Sequence, residues 1–304
     1  MVRNTAERYP ARMRWLLCFV VIASFSVAAC VSDDSTGTPD SGKPDATADD
    51  GAANDVNVAD VAPDATDAAP PRYCATQSPP DGAADFTCAD FDGTNLGEGF
   101  TDASVSEGGS LAANNLAFVS SPNGLLATTP AGADGDQLQA LYYWLQPGGK
   151  RVHTITLTMS VNPFPNGTLP PQITGEVVLA SMPTSVGMIA FGYTRNNQHV
   201  NALNGYSGYY METYRSKSPP SVAYTEVAPL TENIWTEVSI TLDEEGQTMS
   251  LDYDGAPQLP ANTAIVFAAT ETVATTYVGI ATQDQTPLFN FRFDNVRIWT
   301  TRDP

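Results

Sequence analysis

Between Thr154 and Val161 every second residue is apolar: Ile155, Leu157, Met159 and Val161 alternate with Thr154, Thr156, Thr158 and Ser160. A period of two sends successive side chains to opposite faces of an extended chain, so this stretch is a strand with one face buried. The same period returns in Val238, Ile240 and Leu242, in Met249, Leu251 and Tyr253, and in Phe289, Phe291 and Phe293. No segment keeps a helical period. From residue 74 to 304 the pattern predicts one all-β domain, a two-sheet antiparallel β-sandwich.

Further strands are expected around Phe86–Phe91, Ala140–Leu145, Glu176–Met182, Met188–Thr194, Tyr209–Tyr214, Val222–Val227, Ile265–Ala268 and Tyr277–Ala281. The runs at Val238 and Met249 flank Asp243-Glu244-Glu245-Gly246 and read as a hairpin, with Gly246 expected in the left-handed backbone position. Val296 and Ile298 break the parity set by the three phenylalanines, so a β-bulge or bend is expected at Asp294-Asn295.

The first 73 residues follow other rules. Arg3, Arg8, Arg12 and Arg14 precede the apolar run Trp15–Ile22, and small residues then lead to Val27-Ala28-Ala29-Cys30. A basic start, a short apolar centre and small residues at a cut make a secretory signal over residues 1–29, too short to span a bilayer. Its end resembles the lipobox of bacterial lipoproteins, which implies an acylated Cys30 as the mature N-terminus and a membrane partner reached through that lipid anchor. Val31 stands where aspartate would resemble an inner-membrane retention signal, so the outer membrane is the expected location. Residues 31–73 are almost entirely Asp, Ala, Thr, Ser, Pro, Gly, Asn and Val, with no large apolar side chain before Tyr73. Such a composition cannot offset the entropy of ordering, so a disordered tether is expected. A flexible chain of this length reaches roughly 35 Å. An acidic tract that collects cations is the competing reading.

Without residues 1–29, which hold four arginines and one glutamate, ten basic and 33 acidic residues remain, a formal charge of −23. That excludes nucleic acid as a partner and disfavours anionic lipid, since both would repel the chain. In an exported protein Cys74 and Cys88 are expected to form a disulfide. Zinc does not fit, because two cysteines and the isolated His153 and His199 lack ligand spacing. Both histidines are expected on the surface.

Phe86-Thr-Cys-Ala-Asp90-Phe91-Asp92-Gly93 and Arg292-Phe293-Asp294-Asn295-Val296-Arg297-Ile298 resemble the opening and closing strands of concanavalin-like lectin/glucanase jelly rolls. Trp235 to Leu242, followed by Leu251-Asp-Tyr-Asp-Gly255, is similar to the tryptophan strand and Asp-Gly turn of laminin-G-like members. The resemblance implies a jelly roll, an architecture that hosts lectins, glycosidases, lyases and docking modules alike. In such jelly rolls a structural calcium is sometimes held at the junction of first and last strands, which makes Asp90, Asp92 and Asp294 candidate ligands. The competing reading is that Asp92 and Asp294 each cap a turn through backbone hydrogen bonds and never meet. No other cofactor is implied. The Glu-x-Asp-x-x-Glu run of β-glucan hydrolases is absent. A lyase-like set of tyrosine, histidine and arginine would need Tyr210 or Tyr214, His199 and Arg215, while Glu212 is a lone candidate acid.

Binding has more residues behind it. Aromatic rings stack on the C–H faces of sugars while polar side chains collect their hydroxyls. Tyr206, Tyr210, Tyr214 and Arg215, near Asn201 and Asn204, form one candidate set, and Trp144 beside Tyr142 and Tyr143 a second. Alternation places Tyr210 and Tyr214 on one face and Tyr209 on the other. The expected function is binding of a glycan or surface polymer, with a polysaccharide-cleaving enzyme and a non-catalytic docking module as alternatives.

Overall fold

The computed structural model describes residues 72–93, 95–131, 137–163, 175–195, 206–216, 221–283 and 288–304. The expected signal segment, Cys30, most of the expected tether, His199, Asn201 and Asn204 lie outside them. In chain order the strands are β1 (Asp85–Ala89), β2 (Asp102–Val105), β3 (Ser110–Asn114), β4 (Gly124–Thr129), β5 (Gln137–Pro147), β6 (Val152–Pro163), β7 (Gly175–Pro183) and β8 (Gly187–Arg195). There follow β9 (Gly208–Arg215), β10 (Ser221–Val227), β11 (Thr236–Asp243), β12 (Thr248–Tyr253), β13 (Ala256–Pro257), β14 (Thr263–Ala264), β15 (Val273–Gln283) and β16 (Phe289–Arg302). One short 3-10 turn, Tyr73–Thr76, precedes them.

Two antiparallel sheets result, as the alternation requires. The first runs β13-β12-β11-β6-β16-β4-β3, with β1 also on β16 and β14 on β12. The second runs β10-β9-β8-β7-β15-β5-β2. Their inner faces meet in one core. Ile155, Leu157, Met159 and Val161 of β6 pack there with Val238, Ile240 and Leu242 of β11 and with the three phenylalanines of β16. From the second sheet come Phe191, Tyr209, Met211, Val278 and Ile280. Fully burying a side chain of this kind contributes about 1.5–3 kcal/mol, so the alternating positions dominate the fold's stability.

β16 organises the first sheet. Its first half pairs with β4, its second half with β1, and β6 runs along its other edge. The register slips between Asp294 and Arg297, and Asn295 takes φ of 50°, which is the bulge expected from the broken parity. Asn tolerates this left-handed position better than most residues. The β11–β12 hairpin also forms, but Gln247 rather than Gly246 holds the left-handed position, with φ of 53°. Gly246 serves by its small size: a Cβ there would lie 2.5 Å from the Asp243 carboxylate, which accepts the Gly246 N–H at 2.7 Å.

Ile265–Ala268 is not a strand. Pairing stops at Ala264, and the next residues turn Ile265 and Phe267 into the core from an irregular segment. Cys74 and Cys88 are bonded, as expected. The bond fixes the Tyr73–Thr76 turn onto the outer side of the first sheet, where Tyr73 lies 5.9 Å from the Arg297 guanidinium. No described helix is long and apolar enough to cross a membrane.

Candidate functional site

The outer face of the second sheet gathers the tyrosines. Along β9, Tyr209 and Met211 enter the core, while Tyr210, Glu212 and Tyr214 leave on the other side. Opposite Tyr210 stands Gly192 of β8. A Cβ at Gly192 would sit 2.6 Å from the Tyr210 hydroxyl and 2.7 Å from the Val177 carbonyl. The absent side chain lets the Tyr210 ring lie flat across β8, so its hydroxyl reaches β7 and donates to Glu176 Oε1 at 2.6 Å. Tyr224 of β10 meets that ring edge-on at 5.8 Å and donates to Glu212 Oε1 at 3.4 Å. Tyr206 packs against the same ring and donates to the Tyr209 carbonyl at 2.8 Å.

A second group lies further along the face. Tyr277 of β15 and Tyr143 of β5 are register partners with ring centres 5.9 Å apart. Tyr143 donates to Asp102 of β2 at 3.3 Å. Burial pushes the Tyr277 phenol up to about 12, and burial likewise raises Tyr206, Tyr143 and Tyr214. All therefore remain neutral donors near neutral pH. Asp102, Glu176, Glu212 and Glu226 occupy outward positions, and among the described residues no lysine or arginine projects from an outward position within these seven strands.

Of the residues expected to bind, Tyr206 lies before β9 and Tyr210, Tyr214 and Arg215 lie on it. Tyr214 faces outward but is 6% exposed, and Arg215, the last residue of the strand, has the parity of the inward Met211. Tyr210 is fully buried, so it is the floor of the face rather than a contact surface. Trp144, expected to bind, does not reach the outer face. Its register partner Thr276 points inward, and Trp144 is a core residue at 4% exposure. Alternation hands the outward position to Tyr143 instead. Sequence reasoning missed Tyr224, Tyr277 and Glu176, since Glu176 lies 34 residues from the phenol it binds. The one available signal was parity: Tyr224 and Glu226 share it on β10.

The three aspartates do not assemble as a calcium site. Asp90 accepts Arg72 Nη2 at 2.7 Å and the Cys74 N–H at 3.0 Å. Burial opposes its ionisation, but Arg72 and the amides outweigh that and hold it below the usual carboxylate range. Asp92 accepts the Asn123 N–H at 2.8 Å. Asp294 accepts the Val119 and Ser120 amides at 2.7 and 2.9 Å, and burial pushes its carboxyl up to about 6. Each carboxylate is engaged by a separate set of protein donors, although Asp92 Oδ2 is buried without a hydrogen-bond partner. Among the described residues no three His, Cys, Asp or Glu side chains are grouped to hold a metal. His153 is a surface residue bridged on both ring nitrogens, by Asp303 at 2.6 Å and Glu245 at 2.5 Å.

A hollow of about 250 Å³ lies beside the disulfide, lined by Arg72, Asp90, Phe91, Leu96 and Glu98. Arg72 spans its two carboxylates, Asp90 and Glu98.

No family model matches this chain, and no curated protein matches it. Among solved structures it is similar to endo-β-1,4-glucuronan lyase from the fungus Trichoderma reesei. The two are 11% identical over 72% of this chain and 96% of the lyase, with a TM-score of 0.50. It is also similar to the cellulose-induced protein Cip1, at 11% identity over 69% of this chain and 95% of that one, with a TM-score of 0.48. At such identities the likeness is one of fold.

Proposed function

We propose that this chain is an exported lipoprotein, anchored through Cys30 in the outer membrane, whose sandwich binds a polysaccharide on the outer face of its second sheet. The observation that carries the binding is the tyrosine face itself. Phenols are hydrogen-bonded to Glu176, Glu212 and Asp102 on strands whose described residues supply no outward cation. Rings of this kind stack on sugar C–H faces, and the carboxylates accept sugar hydroxyls. A solved structure of similar fold is a glucuronan lyase, which supports a carbohydrate ligand. The four outward carboxylates would repel a uronate polymer, so a neutral or amine-bearing glycan fits better.

A glycan array with the full mature chain tests this. Tyr143→Ala and Tyr224→Ala remove half-buried rings without opening the core. Each should weaken binding about tenfold, the scale of a lost stacking contact. Unchanged binding in both variants would refute the site. New chain ends released from the bound glycan would show the alternative, polysaccharide cleavage.

The anchor has its own test. Cys30→Ser should abolish detergent-phase partitioning and the mass increment of the acyl chains. A Cys30→Ser protein that stayed with the membrane would disprove the lipoprotein reading.

A further inference from the structure

Leu116, Phe118, Val119 and Ile234 are 85%, 38%, 49% and 54% exposed, half of the strongly exposed large apolar side chains among the described residues. They belong to two adjacent loops. A Cβ on Gly124 would meet the Ala117 carbonyl at 3.4 Å from one side and the Trp235 ring at 3.7 Å from the other. Such a patch on a chain of net charge −20 requires an explanation.

The loop of residues 115–123 is also held unusually firmly. Asn114 Oδ1 accepts the Leu116 and Ala117 amides at 3.0 and 3.2 Å. Asp294 takes the Val119 and Ser120 amides, and Asp92 takes that of Asn123. Asp294 has no exposed surface. Burying a carboxylate is costly, and here the donors on Val119, Ser120 and Asn295 offset that cost while they fix the exposed apolar tip.

The place of this loop in the sandwich names the occupant. Asp294 follows the inward Phe293 and pairs with Ser160, so it projects from the outer side of the first sheet, and the loop lies there with it. The first described residues, Arg72 and Tyr73, lie on that same side, where Asp90 binds Arg72 and its neighbour Asp92 binds the loop. The tyrosine face lies on the opposite side of the sandwich.

We infer that the apolar loop touches the lipid bilayer carrying the anchor, and so turns the tyrosine face outward. The inference rests on the anchored reading above. A membrane held within the reach of a tether makes the contact effectively intramolecular, so three or four apolar side chains suffice without strong free binding. The lipid is zwitterionic, because the acidic domain is repelled by an anionic surface.

Chemical anchoring separates the two ideas. The mature chain from Cys30 onward has one cysteine outside the disulfide, and that thiol can be coupled to a maleimide phospholipid in phosphatidylcholine vesicles with brominated acyl chains. Phe118→Trp places a fluorophore on the loop, and Val222→Trp places one on an exposed position of the second sheet. The added emission should be lost at Phe118→Trp and kept at Val222→Trp. Leu116→Asp with Val119→Asp, both at exposed positions that leave the fold intact, should restore the Phe118→Trp emission. Unquenched Phe118→Trp, equal quenching at both positions, or quenching that survives the double Asp variant would each overturn the inference. So would a loop shielded by a second copy, seen as dimers in sedimentation. Absence of acylation at Cys30 in cells would touch only the anchored reading.

Discussion

Glu244 is 1% exposed, and its Oε1 has no hydrogen-bond partner, while Oε2 accepts the Glu271 N–H at 3.2 Å. Burial pushes its carboxyl up to about 7 from an ordinary 4.5. A carboxyl whose folded value lies above its unfolded one binds more protons when folded. Stability therefore declines as pH rises from about 4.5 through 7, by a few kcal/mol at most. Glu244→Gln keeps an acceptor for Glu271 and removes the charge. It should raise the melting temperature at pH 8 and leave it nearly unchanged at pH 4.5, as calorimetry at the two values would show. A Glu244→Gln protein that melts lower at pH 8 would mean that Arg151 and Arg302 repay the burial. None of this was legible in the sequence, where Glu244 is one of two adjacent turn glutamates. The pattern said turn, and the turn is there, yet Gln247 took the backbone position assigned to Gly246. Local turn chemistry leaves such single-residue choices to the packing around it.

At the scale of elements, alternation was enough wherever a strand had one apolar face. β6, β11, β12 and β16 could be read directly, including the bulge at Asp294-Asn295, because a one-residue slip would reverse every side chain. β2, β3 and β4 escaped notice. Asp102–Val105 and Ser110–Asn114 are polar edge strands with few buried side chains, and their pairing comes from β5 and β4 rather than from their own composition. The tyrosine face was half legible for a related reason. Parity sorted Tyr209 from Tyr210, but nothing in the sequence showed that Gly192 would let Tyr210 lie flat and leave the accessible rings to Tyr143 and Tyr224. Asp294 joins the two themes, since the bulge that re-aims β16 also aims this carboxyl at the 115–123 loop. Asp294→Asn retains one acceptor but turns an amide donor toward the amides it once bound. Losing a buried acceptor of this kind costs about 1–3 kcal/mol. Hydrogen exchange should quicken at Val119 and Ser120 and stay slow in β6, and exchange unchanged at those two amides would show that the loop holds itself.

Over the whole molecule, composition marks a change of regime near residue 73, and the contacts place the first structural grip at Arg72. The Arg72 guanidinium neutralises Asp90, a carboxylate 1% exposed, and Tyr73 covers Arg297 before the disulfide begins. Closing the 14-residue separation of Cys74 and Cys88 stabilises the domain by roughly 3 kcal/mol on the chain-entropy view. That bond would hold the turn in place even without Arg72, but it cannot replace the lost charge. Two truncations of the mature chain therefore separate tether from domain. Removing residues 31–71 deletes only Asp-, Ala- and Pro-rich sequence with no large apolar side chain, so the melting temperature should not move. Removing residues 31–73 leaves Asp90 with backbone amides alone, at a cost of roughly 1–3 kcal/mol, which in a domain this size is a drop of several degrees. Calorimetry on both, oxidised and then reduced, gives the decisive pattern. Equal melting temperatures for the two truncations would show that the Arg72–Asp90 pair contributes nothing beyond the disulfide. A fall already present without residues 31–71 would mean that the acidic segment packs on the sandwich after all.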